Sequence, residues 1–174
     1  MAVKGLFLFL ICMFFYGIDS FSASHHSFKT SIDTPAVIRK IQSDFSAINK
    51  DLRFYRKKTK DAPDMSAEGG EVTGYYDKNI LKKIHCTFYG EMGKAEEDYY
   101  LNSKGLFFVF RREIFYDKPM YLKDFKIIST TETRYYLYDG KVIKSISKPK
   151  TSTILSDQEM GGELKQIISI LAEK

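Results

Sequence analysis

A histidine beside a cysteine, His85-Cys86, and the acids Glu91, Glu96, Glu97, Asp98 and Glu113 around them are the residues of this chain whose types could do chemistry. A Cys/His pair works as nucleophile and base only where thiol and imidazole meet, and neighbours on a strand point to opposite faces. Cys86 shares its strand face with Ile84 and Phe88 and reads as a small core residue. Two carboxylates flanking a sugar can break a glycosidic bond. The acids near the 89–98 hairpin therefore support an alternative reading, a hydrolase acting on envelope or extracellular glycans or peptides. Three consecutive acids also suit an exposed strand start, so no catalytic residue is assigned and the sequence leans away from an enzyme. His25 and His26 stand too far from His85 for a zinc spacing, and neither metal nor cofactor is expected. In Tyr89-Gly90-Glu91-Met92-Gly93-Lys94 two glycines lie three apart without the strand-loop-helix context of a phosphate loop. A tight turn with positive φ is expected there.

Lys4, the apolar run Leu6–Tyr16 and the small polar residues after it have the pattern of a secretory signal, and the run is too short to span a bilayer. Ser20 and Ser22 suit cleavage after Ser22, and cleavage after Ser24 would also fit; the expected division is 1–22 signal peptide, 23–33 flexible mature N-terminus and 34–174 a single domain. Bulky Ile11 before Cys12 argues against a lipid anchor, and Cys86 alone remains, so no internal disulfide is expected. No transmembrane segment would remain after cleavage. The expected location is periplasmic or extracellular.

The chain carries +5, and Lys4 and Asp19 cancel within the signal. On an exported protein this mild basicity suits an anionic ligand, a glycan or a protein partner, and no nucleic acid is expected. Arg53, Arg56, Lys57, Lys58 and Lys60 form one dense basic patch, whose plainer reading is a solvated strand or helix edge.

The elements that must position these groups change period twice. Ile38, Ile41, Phe45, Ile48 and Leu52 recur at helical spacing after a capping Asp33 or Thr34 and Pro35, predicting an amphipathic helix. Lys60–Gly70 reads as a loop. From Glu71 to Ser147 the chain is rich in aromatic and β-branched residues and repeats a tyrosine doublet, a turn and an apolar restart. The doublets are Tyr75-Tyr76, Tyr99-Tyr100 and Tyr135-Tyr136, and Asp139-Gly140 suits a type I′ turn. Three hairpins in succession predict a six-stranded antiparallel β-meander. Ser156 and Glu159 form a capping-box pattern before Leu164, Ile167, Ile168 and Leu171, with Gly161 and Gly162 moving the expected firm helix to Glu163.

The expected architecture is α+β, with both amphipathic helices packed on one face of the meander and the other face open. Charges at Glu132 and Arg134 place the even positions of that strand outward, and Asp98 does the same for Tyr100. Tyr76, Tyr100, Arg134, Tyr136 and Tyr138 are then the candidate ligand-binding residues of a tyrosine-bearing face. The predicted function is an exported binding or interaction module for a glycan, envelope or protein ligand.

Glu68-Gly69-Gly70-Glu71, Tyr75-Tyr76-Asp77, the 89–94 loop, Tyr99-Tyr100, Leu106–Phe110 and Arg134-Tyr135-Tyr136 follow one another in an order that resembles uncharacterised secreted proteins of Bacteroidota-type bacteria. The resemblance covers Thr34 to Ser147. It implies a small exported β-meander domain and transfers no catalytic residue. The tyrosine-turn-Gly-Lys pattern is also similar to MORN-type hairpin repeats, from which offsets of 24 and 36 residues depart.

Overall fold

Asp33 starts the ordered chain: its side chain accepts the N–H of Ala36 at 3.2 Å, and Pro35 occupies the first turn of α1, Thr34–Asp51. The computed structural model describes residues 33–150 and 154–173. The expected signal peptide, Cys12, His25, His26 and positions 23–32 lie outside them.

Seven strands follow: β1 Arg56–Asp61, β2 Gly70–Asp77, β3 Ile80–Gly90, β4 Gly93–Asn102, β5 Gly105–Tyr116, β6 Ile127–Tyr138 and β7 Lys141–Lys148. They pair antiparallel in chain order, a pure meander. The three tyrosine-doublet hairpins are β2–β3, β4–β5 and β6–β7. Positive φ marks their turns at Lys78, at Gly105, and at both Asp139 and Gly140, as type I′ requires. The last helix, α2, spans Asp157–Ala172.

Four expectations are corrected. The sheet has seven strands rather than six because the basic stretch is β1. RKKTKD offers no apolar alternation to read, yet its side chains are employed. The Lys58 Nζ donates to the Leu171 carbonyl at 2.5 Å and to the Glu173 carbonyl at 2.9 Å, closing the C-terminal end of α2. Arg56 lies 4.6 Å over the Tyr76 ring and Lys57 5.4 Å over the Tyr75 ring.

The helices, secondly, do not share a face. Ile41 and Ile48 of α1 pack with Tyr100, Phe107, Phe108 and Tyr136. Met160, Ile167 and Leu171 of α2 pack with Ile84, Cys86, Tyr99, Val109 and Tyr135. Consecutive residues of β4, β5 and β6 thus enter different cores. Strands that are apolar on both faces at their centre need cover on both, and one helix lies on each side.

The third correction concerns Gly90 and Gly93, neither of which has positive φ. Gly93 is needed for closeness instead, since a Cβ there would sit 2.2 Å from the Ile114 carbonyl oxygen. α2 also begins earlier than Glu163. Ser156 and Glu159 form a complete capping box, the Ser156 N–H donating to the Glu159 carboxylate at 2.7 Å, and Met160 is fully buried one turn in.

Candidate functional site

Of the five candidate binding residues, Tyr100 and Tyr136 are core, at 1% and 6% exposure. α1 covers the face expected to be open. Phe45 reaches down from the helix to put its ring 4.9 Å from Tyr100 and 5.1 Å from Phe108, and Phe108 lies 5.2 Å from Tyr136. The Tyr100 hydroxyl donates to the Asn49 side-chain oxygen at 3.1 Å, which satisfies the buried group. Tyr76 sits on the opposite face: a Cβ at Gly74 would touch both its ring and Leu171 of α2. The candidate set, expected together on one open face, is therefore divided, and on the side that α1 covers only Tyr138 is exposed, with Arg134 half-buried.

Beyond the reach of α1, the same sheet face carries charge. Lys94 pairs with Glu96 at 2.6 Å, Glu96 with Arg112 at 3.3 Å, Arg112 with Glu132 at 3.1 Å and Glu132 with Arg134 at 3.1 Å. Phe110 lies between Arg112 and Arg134, each guanidinium within 5.4 Å of its ring. Asp98 accepts from His85 Nδ1 at 2.8 Å and from Lys83 Nζ at 3.0 Å. Burial alone would raise the Asp98 carboxyl, but the His85 hydrogen bond and the Lys83 ammonium outweigh it and hold it below its ordinary value. Thr87 Oγ1 stands 3.5 Å from His85 Nε2, too long for a strong hydrogen bond.

The acids considered for hydrolysis are separated by the sheet. Glu96 and Asp98 face α1 and are each paired with cations. Glu97 points under α2, nearly fully buried, where it accepts from the Tyr99 hydroxyl at 2.5 Å and meets Arg111 at 3.4 Å. Burial pushes the Glu97 carboxyl up, against the pull of Arg111 and Tyr99. Glu163 of α2 shares the Tyr99 hydroxyl at 3.1 Å. Burial and the neighbouring carboxylates also push up the Cys86 thiol, so Cys86 is held in its unreactive form. Glu91 lies at the far turn, bound to Tyr121 at 2.8 Å.

A larger concave feature among the described residues lies elsewhere. Between α1 and the turns of the β2–β3, β4–β5 and β6–β7 hairpins lies an open cleft of about 1010 Å³. Its floor is apolar, built by Ile41, Ile48, Leu106, Phe107 and Leu137, and Tyr138 stands at its mouth, 41% exposed. A bulge opposite Tyr100 and Leu101 inserts Phe107 as an extra residue, which turns it toward α1 beside Phe108. The rim carries both charges: Lys40, Lys82 and Lys104 against Asp44, Asp51, Asp77 and Asp139. Burial, with Asp51 and Asp77 close by, pushes the Tyr55 hydroxyl up at one end of the cleft.

Of these residues sequence reasoning singled out Ile41, Ile48 and Tyr138 and missed the charged flank of α1. Val37, Lys40, Asp44, Ala47 and Asp51 recur at helical spacing beside the apolar stripe of α1. That second stripe was the signal available. Among the described residues no helix is long and apolar enough to cross a membrane. No protein-family profile, curated protein or solved structure matches this chain.

Proposed function

We propose that the protein is an exported binding module whose ligand lies in the cleft between α1 and the hairpin turns. The observation that carries this reading is the combination of a large apolar floor with a rim of mixed charge. Ligand sites are typically concave, mostly apolar and of about 300–1,000 Å³, with a few polar groups fixing orientation. Aliphatic side chains dominate the floor, which favours an amphipathic envelope or protein ligand over a glycan, whose rings need flat aromatic platforms. Tyr138 is the candidate residue from the sequence that retains a binding role here, and Arg134 lies outside the cleft.

Ala47 is exposed on the cleft side of α1, so Ala47→Arg obstructs the site without opening the core. Fluorescence titration with anilinonaphthalene sulfonate, an amphipathic anion, should show binding weakened about tenfold by A47R, equivalent to about 1.4 kcal/mol. Tyr138→Ala should weaken it less. Equal binding by wild type and A47R at unchanged stability would remove the cleft as the site. Export has its own test: the mass of protein from the periplasmic or medium fraction should correspond to cleavage between Phe21 and His25.

No geometry favours the hydrolase alternative, because the acids of the 89–98 hairpin are divided between faces and engaged by Lys, Arg and Tyr partners.

A further inference from the structure

β6 is longer than the strand that covers it. On its inner side it pairs with β5 from Ile127 through Tyr136. On its outer side β7 reaches only from Tyr138 back to Glu132, which lies opposite Lys148. Pro149 follows, with no N–H to continue the ladder, and the chain leaves the sheet. Among the described residues nothing pairs with the outer edge of Ile127–Thr131. At about 3.4 Å per residue that gap is about 17 Å long, enough for a short strand.

The two full edges of the sheet are blunted in the usual way. β1 carries Arg56, Lys57, Lys58 and Lys60, and β7 carries Lys141, Lys144 and Lys148. Lysines on an edge discourage another strand from adding to it. The gap has no such guard. Its residues, Ile-Ile-Ser-Thr-Thr, are uncharged and mostly β-branched, and Ile127 and Ile128 are 60% and 65% exposed. A register shift opposite Phe115 and Tyr116 adds an extra residue here, and Phe115 is also exposed beside it.

Charge at the ends of the gap selects the occupant. Exposed Lys126 stands at one end and exposed Lys148 and Lys150 at the other, none of them in an ion pair among the described residues. A second copy pairing antiparallel through the same gap would bring its own Lys148 toward Lys126, like charge against like. We propose that the open edge of β6 from Ile127 to Thr131 accepts an extended segment of a partner protein, β-branched at its centre and acidic at both ends, as an added strand. Backbone hydrogen bonds supply affinity, the two isoleucines give the central side chains an apolar contact, and the lysines set the register.

The probe is a synthetic peptide of alternating valine and threonine with glutamates at both ends. Its addition should slow amide hydrogen exchange at least about tenfold at those amides of Ile127–Thr131 that point away from β5, with the cleft residues unchanged. The double variant Lys126→Glu, Lys148→Glu lies at exposed positions and should reverse the preference, binding a lysine-ended peptide about tenfold better than the glutamate-ended one. Ser129→Pro should abolish protection, and the charge reversal decides the matter if that variant fails to fold. Unchanged exchange at these amides with saturating peptide would overturn the proposal. Concentration-dependent protection of the same amides without peptide, accompanied by dimerisation in ultracentrifugation, would overturn it in favour of a second copy.

Discussion

Glu97 and Asp98, and after them Tyr99 and Tyr100, are neighbours in β4 that live in different chemical settings. The odd-numbered pair faces α2, where Tyr99 is fully buried and Glu97 is held in a closed network with Arg111 and Glu163. The even-numbered pair faces α1, where Tyr100 is buried under the helix but Asp98 lies at the margin of its cover, paired with Lys83 and His85. One rise of the strand separates a carboxyl pushed up from a carboxyl pulled down. Side-chain type does not decide ionisation here; the partners do, burial prevailing at Glu97 and the His85 and Lys83 cations prevailing at Asp98.

The largest test of this contrast is truncation of the two tyrosines. Tyr99→Ala and Tyr100→Ala should each cost about 3–5 kcal/mol, as expected when large aromatic side chains leave cavities. Denaturant midpoints measure it. A loss of only fractions of a kcal/mol for Tyr100→Ala would mean that α1 leaves that face open in solution.

Breaking the marginal ion pair comes next. Asp98→Asn leaves the buried Lys83 without its counter-charge and should cost about 3 kcal/mol at neutral pH. The Asp98 carboxyl is lowered in the fold, so its contribution is present above the unfolded value of about 3.9 and is lost as pH falls through the folded value. Below that range the variant and the wild type should converge in stability. A deficit that stays constant down to the acid transition would show that Asp98 acts by packing alone.

Glu97 has the opposite sign. Its raised carboxyl contributes stability below the unfolded value of about 4.3 that is lost as pH rises through the folded value. Glu97→Gln should therefore gain on the wild type as pH increases from about 4 toward neutrality. Urea midpoints taken across that range give the slope, and a difference independent of pH would contradict the shift. The smallest effect belongs to the open charge band. Arg134→Ala, removing a half-buried pair with Glu132 at the sheet surface, should change stability by about 1 kcal/mol or less.

Much of the hairpin arrangement was legible because turn chemistry is local. Asp139-Gly140 adopts the conformation its residues favour, and Asp33, Pro35, Ser156 and Glu159 mark the helix starts where they occur. β1 was legible only as a charged strand or helix edge and not as a seventh strand, since its side chains serve distant partners such as the end of α2 rather than an apolar face. The open face was misjudged for a similar reason. Glu132 and Arg134 lie half-buried in the charge band, but the covering of Tyr136, two residues further on, depends on where α1 lands, which no pattern within β6 encodes. The cleft arises between elements far apart in sequence, so only its α1 wall left a pattern, the second stripe from Val37 to Asp51.

Each helix docks on strands remote from it in the chain: α1 packs on β5 and β6, and α2 reaches back to β1 and β2. The meander between them is built wholly from contacts between sequence neighbours, which form quickly. Closing the two faces, by contrast, needs both ends of the chain. As the polypeptide emerges residue by residue, hairpins can zip while the Tyr99 face stays bare until the last sixteen-residue helix arrives and Lys58 receives its final carbonyls. Chains stopped before Ser156 should therefore hold a sheet with one exposed apolar side and aggregate rather than rest as a smaller domain.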